Sequence, residues 1–254
     1  YDNEIAVLRA AGTDATPRSL FRPPGRSFIG DIDLHTDASR LLFSMPGKNR
    51  KWQVWELDIT TGNAVELTLV DEPDVDNYDA CYLPDGNIIF TSTAPFVGVP
   101  CVTGSSHVAN LFHFSRNTGT IRQLTFDQDH DWCPTMLNNG RVLYLRWEYS
   151  DLPHYVSRIL FHMNPDGTEQ MAFYGSNSYW PNAMFYARPI PGSASQFVAI
   201  VGGHHDEPRM GELVLFDAAK GRHEADGVLQ RIPGRDKPVA PIILDGLIRN
   251  SWPK

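Results

Sequence analysis

Ala80-Cys81-Tyr82-Leu83, then Pro84-Asp85-Gly86, then Ile88-Ile89-Phe90-Thr91, reads as a strand, a tight turn and a second strand. Apolar and aromatic residues fill both runs, and Pro-Asp-Gly meets the backbone demands of a turn. Asn110–Phe114, a Thr118-Gly119 turn and Ile121–Thr125 then supply a third and a fourth strand. The same order occurs before it: Phe28–Leu34, a turn at Asp37–Arg40, Leu41–Ser44, Trp52–Asp58, Thr61-Gly62 and Val65–Thr68. It occurs again after it, as Thr135–Leu137, Asn138–Gly140, Val142–Leu145, Ser157–Met163, Asp166-Gly167 and Glu169–Ala172. A fourth unit runs through Ala183–Ala187, a turn around Pro191-Gly192, Phe197–Val201, Glu212–Asp217 and Lys220-Gly221, and its last strand is the least defined. Phe43, Phe90 and Tyr144 hold the same place in successive units, 47 and 54 residues apart. A period near 50 with four strands per unit is the signature of a β-propeller.

The expected fold is therefore all-β: four-stranded antiparallel blades at approximately residues 28–70, 71–126, 127–173 and 174–235, followed by the incomplete start of another. Residues 1–27 lack the pattern and read as a lead-in segment or a closing strand. A closed propeller has four blades at the least, so the chain reads as a piece of a longer ring. Composition agrees, with 42% hydrophobic residues, 20 glycines and 19 prolines. A net charge of −8 without a cluster of Lys and Arg argues against nucleic acid, whose phosphates need a basic footprint. No run approaches the roughly 18 apolar residues of a membrane helix, so no membrane span is expected. The three cysteines, Cys81, Cys101 and Cys133, include no Cys-x-x-Cys pair and are not a disulfide framework.

Strands in a blade alternate direction, so the connections between blades and those from second to third strand emerge on one end, and short hairpin turns on the other. The first end receives Asp74–Asp79, Asp127–Pro134, Gly175–Pro181, Thr93–Ser106, Trp147–Tyr155 and Gly202–Arg209, which together with the adjoining His107 carry seven of the chain's twelve His and Cys residues. Function is disproportionately placed on loops held by a rigid scaffold, so this end is the expected site. Cys101 and His130 lie on such loops at the two ends of the second unit. A thiolate and a neutral imidazole are good zinc ligands, with Asp129 or Asp131 to orient the ring. Cys101 also reads as an inert buried thiol, Cys133 as packing, and Cys81 as core. The acidic loops read as caps for backbone amides before they read as calcium sites. Tyr78, Trp132 and Trp180 align as an aromatic rim or as packing between blades, and the adjacent His204 and His205 offer one ligand or base at most.

Asp74–Pro84, Gly98–Cys101, Arg122–Pro134, Tyr174–Pro181 and Arg209–Asp217 together resemble the middle propeller domain of the hydrazine synthase alpha-subunit family, from about Phe28 to Lys254. The most specific stretch is His130-Asp131-Trp132-Cys133-Pro134. The resemblance implies a six-bladed ring between an N-terminal domain and a C-terminal domain bearing c-type haems, with other subunits in a complex. It implies oxidoreductase chemistry on small nitrogen compounds in a periplasmic or anammoxosome-like compartment. It also implies a zinc ion held partly by a propeller cysteine and histidine, to which Cys101 and His130 correspond. There is no Cys-x-x-Cys-His attachment motif here, so the haem belongs to a neighbouring domain. The competing expectation is a non-catalytic propeller that recognises a glycan or a protein through Tyr78, Trp132, Trp180 and the acidic loops.

Overall fold

A computed structural model describes residues 3–8, 16–25, 27–148, 158–176, 178, 180–202 and 211–232, with the side chains of Cys101 and Ile232 outside that description. Among the described residues the regular secondary structure is almost wholly strand. A short antiparallel pair, β1 (Ile5–Val7) and β2 (Arg18–Phe21), occupies the expected lead-in segment. Next come β3 (Gly30–Leu34), β4 (Arg40–Pro46), β5 (Trp52–Asp58) and β6 (Ala64–Glu66), a sheet in sequence order. A second four-stranded sheet follows, of β7 (Asn77–Tyr82), β8 (Ile88–Ser92), β9 (Asn110–Phe114) and β10 (Ile121–Gln123). The third consists of β11 (Asp131–Met136), β12 (Val142–Trp147), β13 (Arg158–Met163) and β14 (Met171–Tyr174). The fourth is β15 (Ala183–Pro189), β16 (Gln196–Gly202), β17 (Glu212–Asp217) and β18 (Val228–Ile232). The last two sheets are joined by one parallel pair, Arg158 with Ala183. A 3-10 turn, Pro100–Val102, interrupts the loop before β9.

The chain divides into two compact units, Tyr1–Ala94 with Phe112–Arg122, and Pro95–Leu111 with Gln123–Lys254. In the first unit, Leu41, Phe43, Met45 and Leu57 on one face of the first sheet bury Ile5 of the terminal pair, and Phe21 lies 5.3 Å from Phe43, ring to ring. The opposite face supplies Leu42 and Val54 to a core shared with Ala80, Tyr82, Ile88 and Phe90. Polar ties run between the same sheets: the Tyr82 amide donates to Asp33 at 2.9 Å and the Asp79 amide to Ser44 Oγ at 3.1 Å. In the second unit, Leu143, Leu145 and Leu160 of the third sheet pack with Phe185, Phe197, Val214 and Phe216 of the fourth.

One irregularity recurs in every sheet. The first strand of each carries a β-bulge whose extra residue is not glycine yet has a positive φ: Asp31 (56°), Asp79 (50°), Cys133 (53°) and Tyr186 (49°). In each case two residues face one across the ladder, and the single residue is Phe43, Phe90, Tyr144 or Ala199. A bulge bends its strand and re-aims the side chains before it. It also accounts for Pro134 inside β11, because a proline is tolerated where the ladder is already broken. Thus Asn77–Asp79 and Asp131–Pro134, expected as loop, are the upstream halves of bulged strands. The register also places Phe185, not Trp180, in line with Tyr78 and Trp132, since each of these three directly precedes the bulge residue.

Turn chemistry gives a direct test of the backbone. Gly86 has φ +83° and open space where a Cβ would stand, so Gly86→Ala is expected to cost about 1 kcal/mol from conformation alone. Ala38 is an exposed residue at φ 56°, and Ala38→Gly is expected to be neutral or to stabilise by up to about 1 kcal/mol. Urea denaturation of the two variants measures both.

Candidate functional site

The start of β11 is where the sequence concentrates polar chemistry, and its side chains alternate between two faces. On one face, Asp131 is fully buried and receives Arg146 Nε at 3.2 Å from the adjacent strand β12, where Arg146 is its direct cross-strand partner. The same guanidinium reaches Asp127 at 2.7 Å, Tyr144 Oη at 2.8 Å and Gln170 Oε1 at 2.8 Å. Its plane lies over the Phe161 ring, 4.3 Å from the centroid. Burial first, and then the charge of Asp127, push the Asp131 carboxyl well above the usual carboxylate range against the pull of Arg146. Burial likewise raises the Tyr144 phenol, reinforced by Asp131. Asn110 completes the surroundings, its amide donating to the backbone of Asp129 at 3.2 Å and to Asp131 at 3.4 Å. One cation thus serves two carboxyl groups, and the network ties the strand start to the chain on either side.

On the other face, His130 stacks on Trp132 (4.2 Å, 24°) and on Trp147 (5.8 Å, 11°). The His130 carbonyl accepts the Trp147 amide at 2.9 Å, which sets the two rings side by side. The Arg158 guanidinium covers both indoles, at 5.8 Å from Trp132 and 5.1 Å from Trp147. Trp147 is buried whereas His130, Trp132 and Arg158 are half-buried. The imidazole is also held by hydrogen bonding: Nδ1 accepts the Ala109 amide at 3.1 Å. A neutral ring held in this way carries its proton on Nε2.

The remaining expected residues are dispersed. Asp129 is buried, and Cys133 and Cys81 are buried, reduced thiols. Trp180 is half-buried, packs against the same apolar cluster as Trp132, and donates its amide to Glu224 at 3.1 Å. Tyr78 is half-buried on β7, in the first unit. Cys101 has its backbone in the 3-10 turn, and its side chain lies outside the described residues, as do His204 and His205. Among the acidic caps, Asp76 accepts the Trp52 amide at 2.9 Å. Arg146, Trp147, Arg158 and Asn110 were not expected at the site. Arg146 had a readable signal, an arginine in the apolar run Val142–Trp147 opposite a loop rich in aspartate.

A zinc-ligating histidine gives one ring nitrogen's lone pair to the metal and donates the N–H of the other. His130 does the reverse at Nδ1, where it accepts. In this arrangement the ring does not fit a zinc ligand, and ligation requires it to turn over and give up the Ala109 amide.

No protein-family model matches the chain, and no curated protein matches it. Solved structures do, and they define the class: this is a β-propeller chain. Hydrazine synthase of Kuenenia stuttgartiensis matches with a TM-score of 0.66 at 14% identity, over 89% of this chain and 35% of that one. A putative TolB from Agrobacterium tumefaciens matches at 0.64 and 15%, over 87% and 72%. TolB from Acinetobacter baumannii matches at 0.52 and 15%, over 80% of this chain and 43% of that one. The chain therefore spans less than half the length of two of these three structures. No helix among the described residues is long and apolar enough to cross a membrane.

Removing one partner of a buried ion pair leaves a charge uncompensated. Arg146→Met is accordingly expected to destabilise by about 3–5 kcal/mol, and Asp131→Asn, which keeps shape and hydrogen bonding, by about 1–2 kcal/mol. Because the folded state holds the Asp131 proton more tightly than the unfolded chain does, the stability it contributes is complete below the unfolded pKa. It is lost as pH rises through the folded one. Chemical denaturation across pH is expected to show this falling component in the parent and its absence in Asp131→Asn.

Proposed function

We propose that the chain is a scaffold and docking propeller of an extracytoplasmic protein of the hydrazine-synthase-alpha type. It supplies a rigid binding end, and electron-transfer chemistry resides in a haem-bearing neighbour domain. The observation that carries this reading is how the polar side chains at the start of β11 are used. Asp131 is tied to Arg146 and His130 to the Ala109 amide, so they hold strands together and present no set of reacting groups. What remains half-buried at that end is Trp132 with Arg158 over it. Tryptophan and arginine are the residues most enriched among interface hot spots. The His130–Pro134 motif supports the hydrazine-synthase side of the reading, and the structural likeness supports the propeller. A second reading, recognition of a glycan without any haem partner, is favoured by the same half-buried indole, which suits stacking on a sugar ring.

Optical spectroscopy and elemental analysis of the intact natural protein separate the two. A c-type haem spectrum, together with at least tenfold weaker association of the haem-bearing domain in Trp132→Ala, about 1.4 kcal/mol or more, is the expected result. An intact protein without haem overturns the redox assignment and leaves glycan recognition.

A further inference from the structure

A second polar constellation lies away from the start of β11. His162, the penultimate residue of β13, is only 8% exposed. Arg141 Nε donates to its Nδ1 at 3.0 Å, so the imidazole proton sits on Nε2. That Nε2–H is buried and has no hydrogen-bond acceptor among the described residues. Buried donors are almost always paired, and an exception calls for a partner such as a water or an ion.

The surroundings indicate which partner fits. The His162 ring meets the Phe173 ring edge to face, with centroids 5.4 Å apart, and the Arg222 guanidinium lies over the same Phe173 ring at 5.5 Å. Arg141 is occupied, donating to His162, to Asn164 Oδ1 at 2.8 Å and to Glu169. Arg222 is exposed, and among the described residues no carboxylate pairs with it. Its backbone is nonetheless pinned, because its carbonyl accepts the Gly175 amide at 2.9 Å. Burial first, and then the charges of Arg141 and Arg222, pull the His162 pKa down to about 4, so the ring is neutral near pH 7 and acts there as a donor.

We propose that the His162 Nε2–H and the Arg222 guanidinium form a binding site for a small oxyanion of the phosphate or sulfate class. One oxygen takes the buried imidazole N–H and two others take the planar guanidinium fork, which suits a tetrahedral oxyanion bidentately. Among the described residues the Arg222 side chain has the Phe173 ring as its neighbour and no carboxylate partner, which leaves its N–H groups for the ion. The site is independent of the docking role proposed above.

The test is calorimetric titration and thermal unfolding of the natural protein with inorganic phosphate and sulfate, at constant ionic strength balanced with chloride. Saturable binding and a rise in Tm are expected with phosphate or sulfate, with a shift of the His162 Nε2–H resonance. Arg222→Gln changes an exposed side chain and is expected to fold normally and bind at least tenfold more weakly, whereas Arg18→Gln, on β2, binds as the parent does. His162→Phe is expected to lose binding. Chloride acting as well as phosphate, or Arg222→Gln binding unchanged, overturns the assignment.

Discussion

The constraint on which this structure depends is the bulge in the first strand of every sheet. A non-glycine residue at positive φ is strained by about 1–2 kcal/mol, and all four of these bulges carry that strain, at Asp31, Asp79, Cys133 and Tyr186. The bulge splits each strand into halves with different duties. Downstream, Cys81–Tyr82 and Thr135–Met136 continue the ladder into buried surroundings; upstream, Asn77–Tyr78 and Asp131–Trp132 turn polar and aromatic side chains toward neighbouring strands. Without the extra residue, Asp131 and Trp132 would exchange faces. Arg146 would lose its carboxylate, and the indole would enter the polar network.

This architecture also explains how the polar residues at the start of β11 behave. A carboxylate taken out of water needs a cation or several donors. Asp131 has the Arg146 guanidinium and the Asn110 amide, and it shares its surroundings with Asp127. The imidazole of His130 is clamped by two indoles and an amide. Side chains bound on so many sides give rigidity, which a docking surface requires, at the expense of the freedom that a reacting group requires.

Much of the architecture was legible in the residues. Phe43, Phe90 and Tyr144 gave the period because each is the single residue opposite a bulge, where an aromatic ring fills the space left by the break. The short turns were equally plain, since Pro-Asp-Gly and Asn-Asn-Gly admit few conformations. The bulges themselves were not legible. Asp131–Pro134 has the composition of a loop, and a proline within a strand is ordinarily a reason to reject one. The aromatic alignment slipped for the same reason: Trp180 lies before the strand, and the residue in register is Phe185. At the candidate site the sequence exposed the acids and the histidine but not their partners. Arg146 lies 15 residues after Asp131 and Arg158 lies 26 after Trp132, and only the strand register brings them back to these two residues.

The central claim is that the conspicuous side chains before the bulge in β11 are clamps, and the tautomer of His130 tests it most directly. Nitrogen-15 NMR of the protein with labelled histidine, before and after a stoichiometric addition of zinc, reads both ring nitrogens. The account predicts an unprotonated Nδ1 and a protonated Nε2, unchanged by the metal. A proton on Nδ1, or an Nε2 resonance displaced by zinc, would contradict it and make His130 a ligand.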